Sequence, residues 1–184
     1  FYAVKIVAIY SELKQERISF VLMCGYLFLE YVRPQSLYPV VNVIPYAFVT
    51  LILTFIAYVL EGNREKVPNT ENKLLVIFFI VIVLSSIFGH SPEESFANLN
   101  RYLNWVVIYY LIIHIVNTEK RFLIFFLSFL LYNFKMSQHG FISWASIGFG
   151  FRNWGVTGAP GWFHNSGEFG IALCIFIPLS FYFV

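Results

Sequence analysis

Apolar residues in this chain run in unbroken blocks, and charged residues, Pro or Gly punctuate the blocks. The blocks fall at 1–10, 18–32, 41–60, 74–89, 103–117, 122–136 and 168–184. Strict two-residue alternation, the mark of a strand with one wet face and of an outer-membrane barrel, is absent, so the runs predict helices. A helix needs about 20 mostly apolar residues to cross about 30 Å of hydrocarbon. Several blocks are shorter, and the aromatic, Ser and Asn residues at their ends carry them into the membrane interface. The expected fold is all-α, a polytopic transmembrane helical bundle with about seven spans.

Composition points the same way. Hydrophobic residues make up 59% of the chain and charged residues only 12%, with mean hydropathy +0.71, more than a domain of this length can hide in one aqueous core. Residues 1–184 are read as a single transmembrane domain. The first block lacks an initiator methionine or a leading polar segment and is too short for a signal peptide with its cleavage site. It is read as the remainder of a first span. The last block stops at Val184 in mid-run, so the chain is expected to be the N-terminal part of a longer protein.

Cations fix the expected orientation. Loops at 11–17, 61–73 and 118–121 collect Lys14, Arg17, Arg64, Lys66, Lys73, Lys120 and Arg121, which places them on the cytoplasmic side. The opposite side keeps Arg33, Arg101, Lys135 and Arg152. Each of these is either a headgroup anchor or a candidate for holding an anion.

Other chemistry is sparse. Cys24 and Cys174 lie inside apolar blocks, where cysteine behaves as a small hydrophobe. His90, His114, His139 and His164 show no paired metal-ligand spacing, and the chain has no aspartate, so no metal site and no cofactor is expected.

Three segments carry the candidate site. In the first, Glu30-Tyr31-Val32-Arg33-Pro34-Gln35 followed by Tyr38-Pro39, Pro34 stops a helix and pushes Arg33 out of the right-handed region. Glu30 and Arg33, three apart, fit an interfacial ion pair, or Arg33 faces a cavity. In the second, 90–105, Ser91 and Pro92 fit a helix start with Glu93 and Glu94 in the first turn. Phe96, Leu99 and Leu103 then recur at helical spacing. That piece reads as an interfacial amphipathic helix before the Trp105 span, with Arg101 either solvated or in contact with substrate.

The third segment leads to a loop at 137–167 on the periplasmic side. Residues 140–170 hold eight of the eleven glycines and three of the four tryptophans. Glycines at 148, 150, 155, 158 and 161 permit positive φ and a concave array of N–H groups, Arg152 adds a fixed charge, and the next helix points its positive N-terminal end back at the loop. Together they would hold a diphosphate; alternatively the glycines only let the chain turn around Trp144, Trp154 and Trp162. Asn165 and Glu168 fit a variant capping box, and His164 beside them is a candidate base or phosphate donor.

Glu30 to Gln35 with its Tyr-Pro, then Lys135 to Gly140, then Phe151 to Leu179 resemble the O-antigen ligase and O-antigen polymerase superfamily, in particular its exosortase-associated ligase-like members. The last block is the most specific, through Arg152, Gly155, Pro160, Asn165 and the Pro178-Leu179 pair. The resemblance implies a metal-independent glycosyltransferase of the GT-C-like kind in the bacterial inner membrane, with its site facing the periplasm. It would move a glycan from undecaprenyl diphosphate to an acceptor glycolipid, polysaccharide or protein, with no role for nucleic acid.

Outer arginines would hold the leaving diphosphate, with Arg152 first and Arg33 and Arg101 as partners. Asn165, Trp154 and Trp162 would contact substrate, and His164 and Glu168 would be the catalytic candidates within this stretch. A histidine in a later loop activates the acceptor in such enzymes, and residues 164–168 depart from the acidic-Asn-Asn run of many relatives. A polymerase of the same chemistry, a transporter and a non-catalytic membrane subunit are the alternatives.

Overall fold

The computed structural model describes residues 16–37, 44–62, 70–90, 92–150, 155–158 and 162–183. The expected span at 1–10, Tyr38-Pro39 and Ser91 lie outside them. Described residues form an all-α structure: α1 (Ile18–Tyr31), a single turn α2 (Pro34–Leu37), α3 (Tyr46–Leu60), α4 (Thr70–Phe88), α5 (Pro92–Ile115), α6 (Glu119–Ser146), a 3₁₀ turn (Trp162–His164) and α7 (Ser166–Phe183).

Helix α1 is the centre of the assembly, and buries Phe20, Met23, Cys24 and Tyr26 against α3, α5 and α6. With them Leu51, Tyr58, Leu111, Ile115 and Ile124 form the core. One end of this core is tied by charge. Helix α1 starts without a side-chain cap from its own Arg17. Glu61, at the end of α3, supplies the cap: its carboxylate accepts from the Ser19 amide at 2.9 Å and from the Ser19 hydroxyl at 2.6 Å. A carboxylate there also meets the positive end of the helix dipole.

Arg121, in the first turn of α6, donates through Nε to Glu16 Oε2 at 2.8 Å, pairs with the same oxygen through Nη2 at 2.8 Å, and donates to the Ile115 carbonyl at the end of α5. Glu16, Glu61 and Arg121, one from each of the three expected cytoplasmic loops, therefore gather at one end. They fix α1 and α3 antiparallel, with α6 running alongside α1.

Outside this core the surface is apolar. The window Glu71–Phe88 of α4 has mean hydropathy 2.1, is only 6% buried, and makes the one helix among the described residues long and apolar enough to cross a membrane. Phe88 and Leu60 are about four-fifths exposed, at 83% and 79%. Polar side chains turn inward on their own helices: Thr54 donates to the Thr50 carbonyl, Ser86 to Ile82, Ser128 to Ile124 and Ser180 to Phe176. Such back-bonding satisfies a hydroxyl where no water or neighbour does.

Two boundaries differ from the sequence reading. The amphipathic piece before Trp105 and the 103–117 span are one continuous helix of 24 residues, because nothing between Pro92 and Ile115 breaks the backbone. Helix α6 runs past Lys135 to Ser146, so residues 137–146 of the expected loop are helical.

Length differences shape the site. At 1.5 Å per residue α1 and α3, of 14 and 15 residues, are about 21 to 22 Å long, whereas α5 and α6, of 24 and 28 residues, reach about 36 and 42 Å. Since these helices meet at the charged end, the short pair stops below its neighbours and leaves a recess above. Replacing Glu61 by Ala removes both bonds to Ser19 and is expected to cost about 1 to 2 kcal/mol. That lowers the melting temperature by roughly 4 °C in a detergent thermal-shift measurement. An unchanged melting temperature would show that α1 is not capped from α3.

Candidate functional site

The recess begins where α1 ends. The Val32 amide still donates to the Phe28 carbonyl at 2.8 Å, and then Arg33 turns the chain with φ of +47°. Pro34 disfavours the right-handed region for the residue before it, and Arg33 does leave that region, into the left-handed one. A side chain there costs about 1 to 2 kcal/mol relative to glycine, the usual occupant of this position after a helix. Pro34 opens α2, and the Ser36 amide donates to the Arg33 carbonyl at 2.9 Å, which locks the turn.

This turn decides where the guanidinium goes. Among the described residues Arg33 makes no ion pair and no side-chain hydrogen bond, and its Nε is buried without a partner. The expected pairing with Glu30 does not form, because helical three-residue spacing ends at Tyr31 and Arg33 has already left the helix. Gln35 donates to the Leu29 carbonyl at 3.4 Å, while its Oε1 is buried and unpartnered.

Both groups line a cavity of about 420 Å³ between the end of α1, the start of α3 and the middle of α5, where Asn104 and Trp105 complete the wall. Thirteen residue steps of α1 put it about 20 Å from the Glu16–Arg121 end. A smaller cavity of about 250 Å³ lies against it and is lined by Tyr26, Glu30, Tyr31, Trp105 and Phe163. Tyr26, Glu30 and Trp105 belong to both. All three candidate segments thus converge: Glu30 to Gln35, the Asn104-Trp105 stretch just past Arg101, and Phe163 beside His164.

The loop that brings Phe163 here is held by close approach. Phe169 of α7 is 5% exposed and fills a slot between two glycines. A Cβ on Gly140 would lie 2.7 Å from the Phe169 ring, and one on Gly158 would lie 2.7 Å from Phe163 Cβ and 3.0 Å from the same ring. The Gly158 amide donates to the Phe163 carbonyl at 2.7 Å and closes the loop. Of the glycines expected to adopt positive φ, Gly148 at +74° and Gly155 at +123° do so.

Asn165 caps α7: its Oδ1 accepts from the Gly167 amide at 2.9 Å, the half of the capping box assigned to Asn165. Glu168 lies in the first turn and is exposed, as are His164 and Asn165. Lys135 donates to Gln138 at 3.3 Å on the surface of α6. Arg152, Trp154, Pro160 and Gly161, and the side chains of Arg101 and Trp162, lie outside the described residues.

Sequence reading did not single out Tyr26, Gln35, Asn104, Trp105 or Phe163 as site residues. Trp105 carried one usable signal: it follows Arg101 by four, so both fall on one face of α5.

The chain belongs to a family of unknown function (DUF5935), whose pattern spans residues 2–184. No curated protein and no solved structure matches it. Family membership therefore covers the whole of the fold described above and leaves the activity to be argued from the site.

Gly140→Val forces the Phe169 ring out of its slot, at a cost of about 1 to 3 kcal/mol. Chymotrypsin is expected to cut the loop before α7 faster in this variant than in wild type, and Phe169→Leu in the same chain is expected to recover part of the protection. Equal cleavage rates for wild type and Gly140→Val would show that this slot does not hold the loop.

Proposed function

We propose that this chain is the membrane-embedded donor-binding part of a glycosyltransferase of the O-antigen ligase kind. In this reading the helices cross the bacterial inner membrane and the recess opens toward the periplasm. A diphosphate-linked glycan on undecaprenol is the donor, and a glycolipid, polysaccharide or protein is the acceptor. A polymerase would use the same donor chemistry and falls within the same reading.

The observation that carries it is Arg33: a guanidinium with a buried, unpartnered Nε, fixed by a strained backbone at the wall of a cavity. Ionisable groups at membrane depth are costly and mark substrate paths. Guanidinium groups bind phosphate oxygens in a fork geometry and keep their charge. The apolar outer surface and the self-satisfied hydroxyls support the bilayer as surroundings.

Chemically, an acceptor oxygen attacks the anomeric carbon, the bond from that carbon to the phosphate oxygen breaks, and the diphosphate departs with the electron pair. Fixed cations lower the barrier by meeting the charge that develops on the leaving oxygen, and one such donor is worth about 3 to 4 kcal/mol. Arg33 has that role here, with Gln35 and Asn104 as neutral partners in the same cavity. Arg152 and Arg101 enter on sequence grounds, as further cations of the same face. His164 and Glu168 remain candidates for handling the acceptor proton.

Arg33→Gly separates binding from folding, because glycine suits the left-handed turn that arginine occupies under strain. Its melting temperature is expected to stay within about 4 °C of wild type. Binding of undecaprenyl diphosphate to the purified chain in detergent is expected to weaken about a hundredfold. Equal affinity in the two proteins would remove Arg33 from the site.

A further inference from the structure

We infer that the cavity of about 250 Å³ beside Arg33 is the seat of a single sugar ring, the one joined to the diphosphate of the donor lipid. The inference rests on the donor-binding role proposed above. Its walls carry four aromatic rings, Tyr26, Tyr31, Trp105 and Phe163, and one carboxylate, Glu30.

A pyranose presents apolar C–H faces and a rim of hydroxyl donors. Aromatic faces match the first, and a carboxylate accepts from the second in charge-assisted hydrogen bonds. The space falls below the roughly 300 Å³ at which sites for larger ligands begin, so it suits one ring rather than an oligosaccharide.

Position argues as strongly as lining. Tyr26, Glu30 and Trp105 line both this cavity and the Arg33 cavity, so the two adjoin and a ligand with two linked groups can reach from one into the other. A phosphate on Arg33 and a ring against Tyr31 would place the bond to be broken where the two cavities adjoin. Phe163 immediately precedes His164, so the same wall puts the reacting carbon beside the loop.

The rings are also preset. Tyr31 packs edge-on against Phe129 at 5.3 Å and lies 5.9 Å from Phe163 at an interplanar angle of 40°. Phe163 is itself fixed by the bond from the Gly158 amide and by the Phe169 slot. An aromatic seat held in this way loses little freedom when a ligand arrives.

The test compares undecaprenyl diphosphate alone with the same lipid bearing one glucose, galactose, N-acetylglucosamine or N-acetylgalactosamine, bound to the full chain in detergent and read by native mass spectrometry. At least one glycosylated lipid is expected to bind about tenfold more tightly than the bare lipid. Tyr31→Leu and Phe163→Leu, which line only the smaller cavity, are expected to erase that gain while binding the bare lipid as wild type does. Four glycosylated lipids that bind no better than the bare one would overturn the sugar seat and leave the diphosphate site standing. A gain that survives in both variants would overturn it as well. Failure of the bare lipid to bind at all would sink the donor-binding reading and the sugar seat together.

Discussion

A buried N–H donor needs an acceptor, because leaving the bond unmade costs about 1 to 3 kcal/mol. The end of α1 is organised around that constraint. Arg33 stands where glycine would be least strained, its Nε is buried without a partner, and Glu30, three residues earlier, lines the same cavity without forming an ion pair with it. The Pro34 ring and the single turn of α2 prevent the chain from relaxing back into a helix that would let the pair meet. What results is a cation at a cavity wall, which is the feature the proposed donor site rests on.

The rest of the fold makes that display possible. Glu16, Ser19, Glu61 and Arg121 clamp the ends of α1, α3, α5 and α6 in register at one side. With one end fixed, unequal helix length becomes a shape: α1 and α3 run out about 20 Å above the clamp while α5 and α6 continue. The recess is therefore a product of helix length and clamping, walled on one side by the connection from α1 to α3 through Arg33, Gln35, Ser36 and Pro45. The Phe169 slot then folds the glycine-rich loop down onto the open side, and Phe163 closes the smaller cavity.

Much of the helix content was legible because apolar runs ended at true backbone breakers. Pro34, Pro45 and Gly62 bound α1 and α3 close to where the blocks 18–32 and 41–60 placed them. Two boundaries drawn at polar side chains did not hold: Arg101 and Lys135 change the hydropathy of α5 and α6 without touching their backbone, so both helices run on. The pairing of Glu30 with Arg33 was a helical-spacing inference that lapsed when the helix ended between them. Convergence of the three segments was hidden for a different reason. It depends on contacts such as Tyr31 with Phe163, more than a hundred residues apart, and on a glycine at 140 whose role shows only when Phe169 is seen against it.

Backbone strain by itself would not have identified Arg33, since Phe149 also has positive φ, at +59°. Phe149, however, belongs to the unwinding of α6: its amide donates to the Trp144 carbonyl, Gly148 precedes it in the same left-handed region, and its ring meets Trp144 edge-on at 5.0 Å. Local bonds and an aromatic contact account for it fully. Arg33 has the same kind of backbone but no such contact for its side chain, which lines a cavity together with Glu30, Gln35, Ser36 and Asn104. Strain compensated within the fold is architecture. Strain that leaves a buried donor unpartnered at a cavity wall is not compensated within the fold, and it is this that the proposed diphosphate would complete.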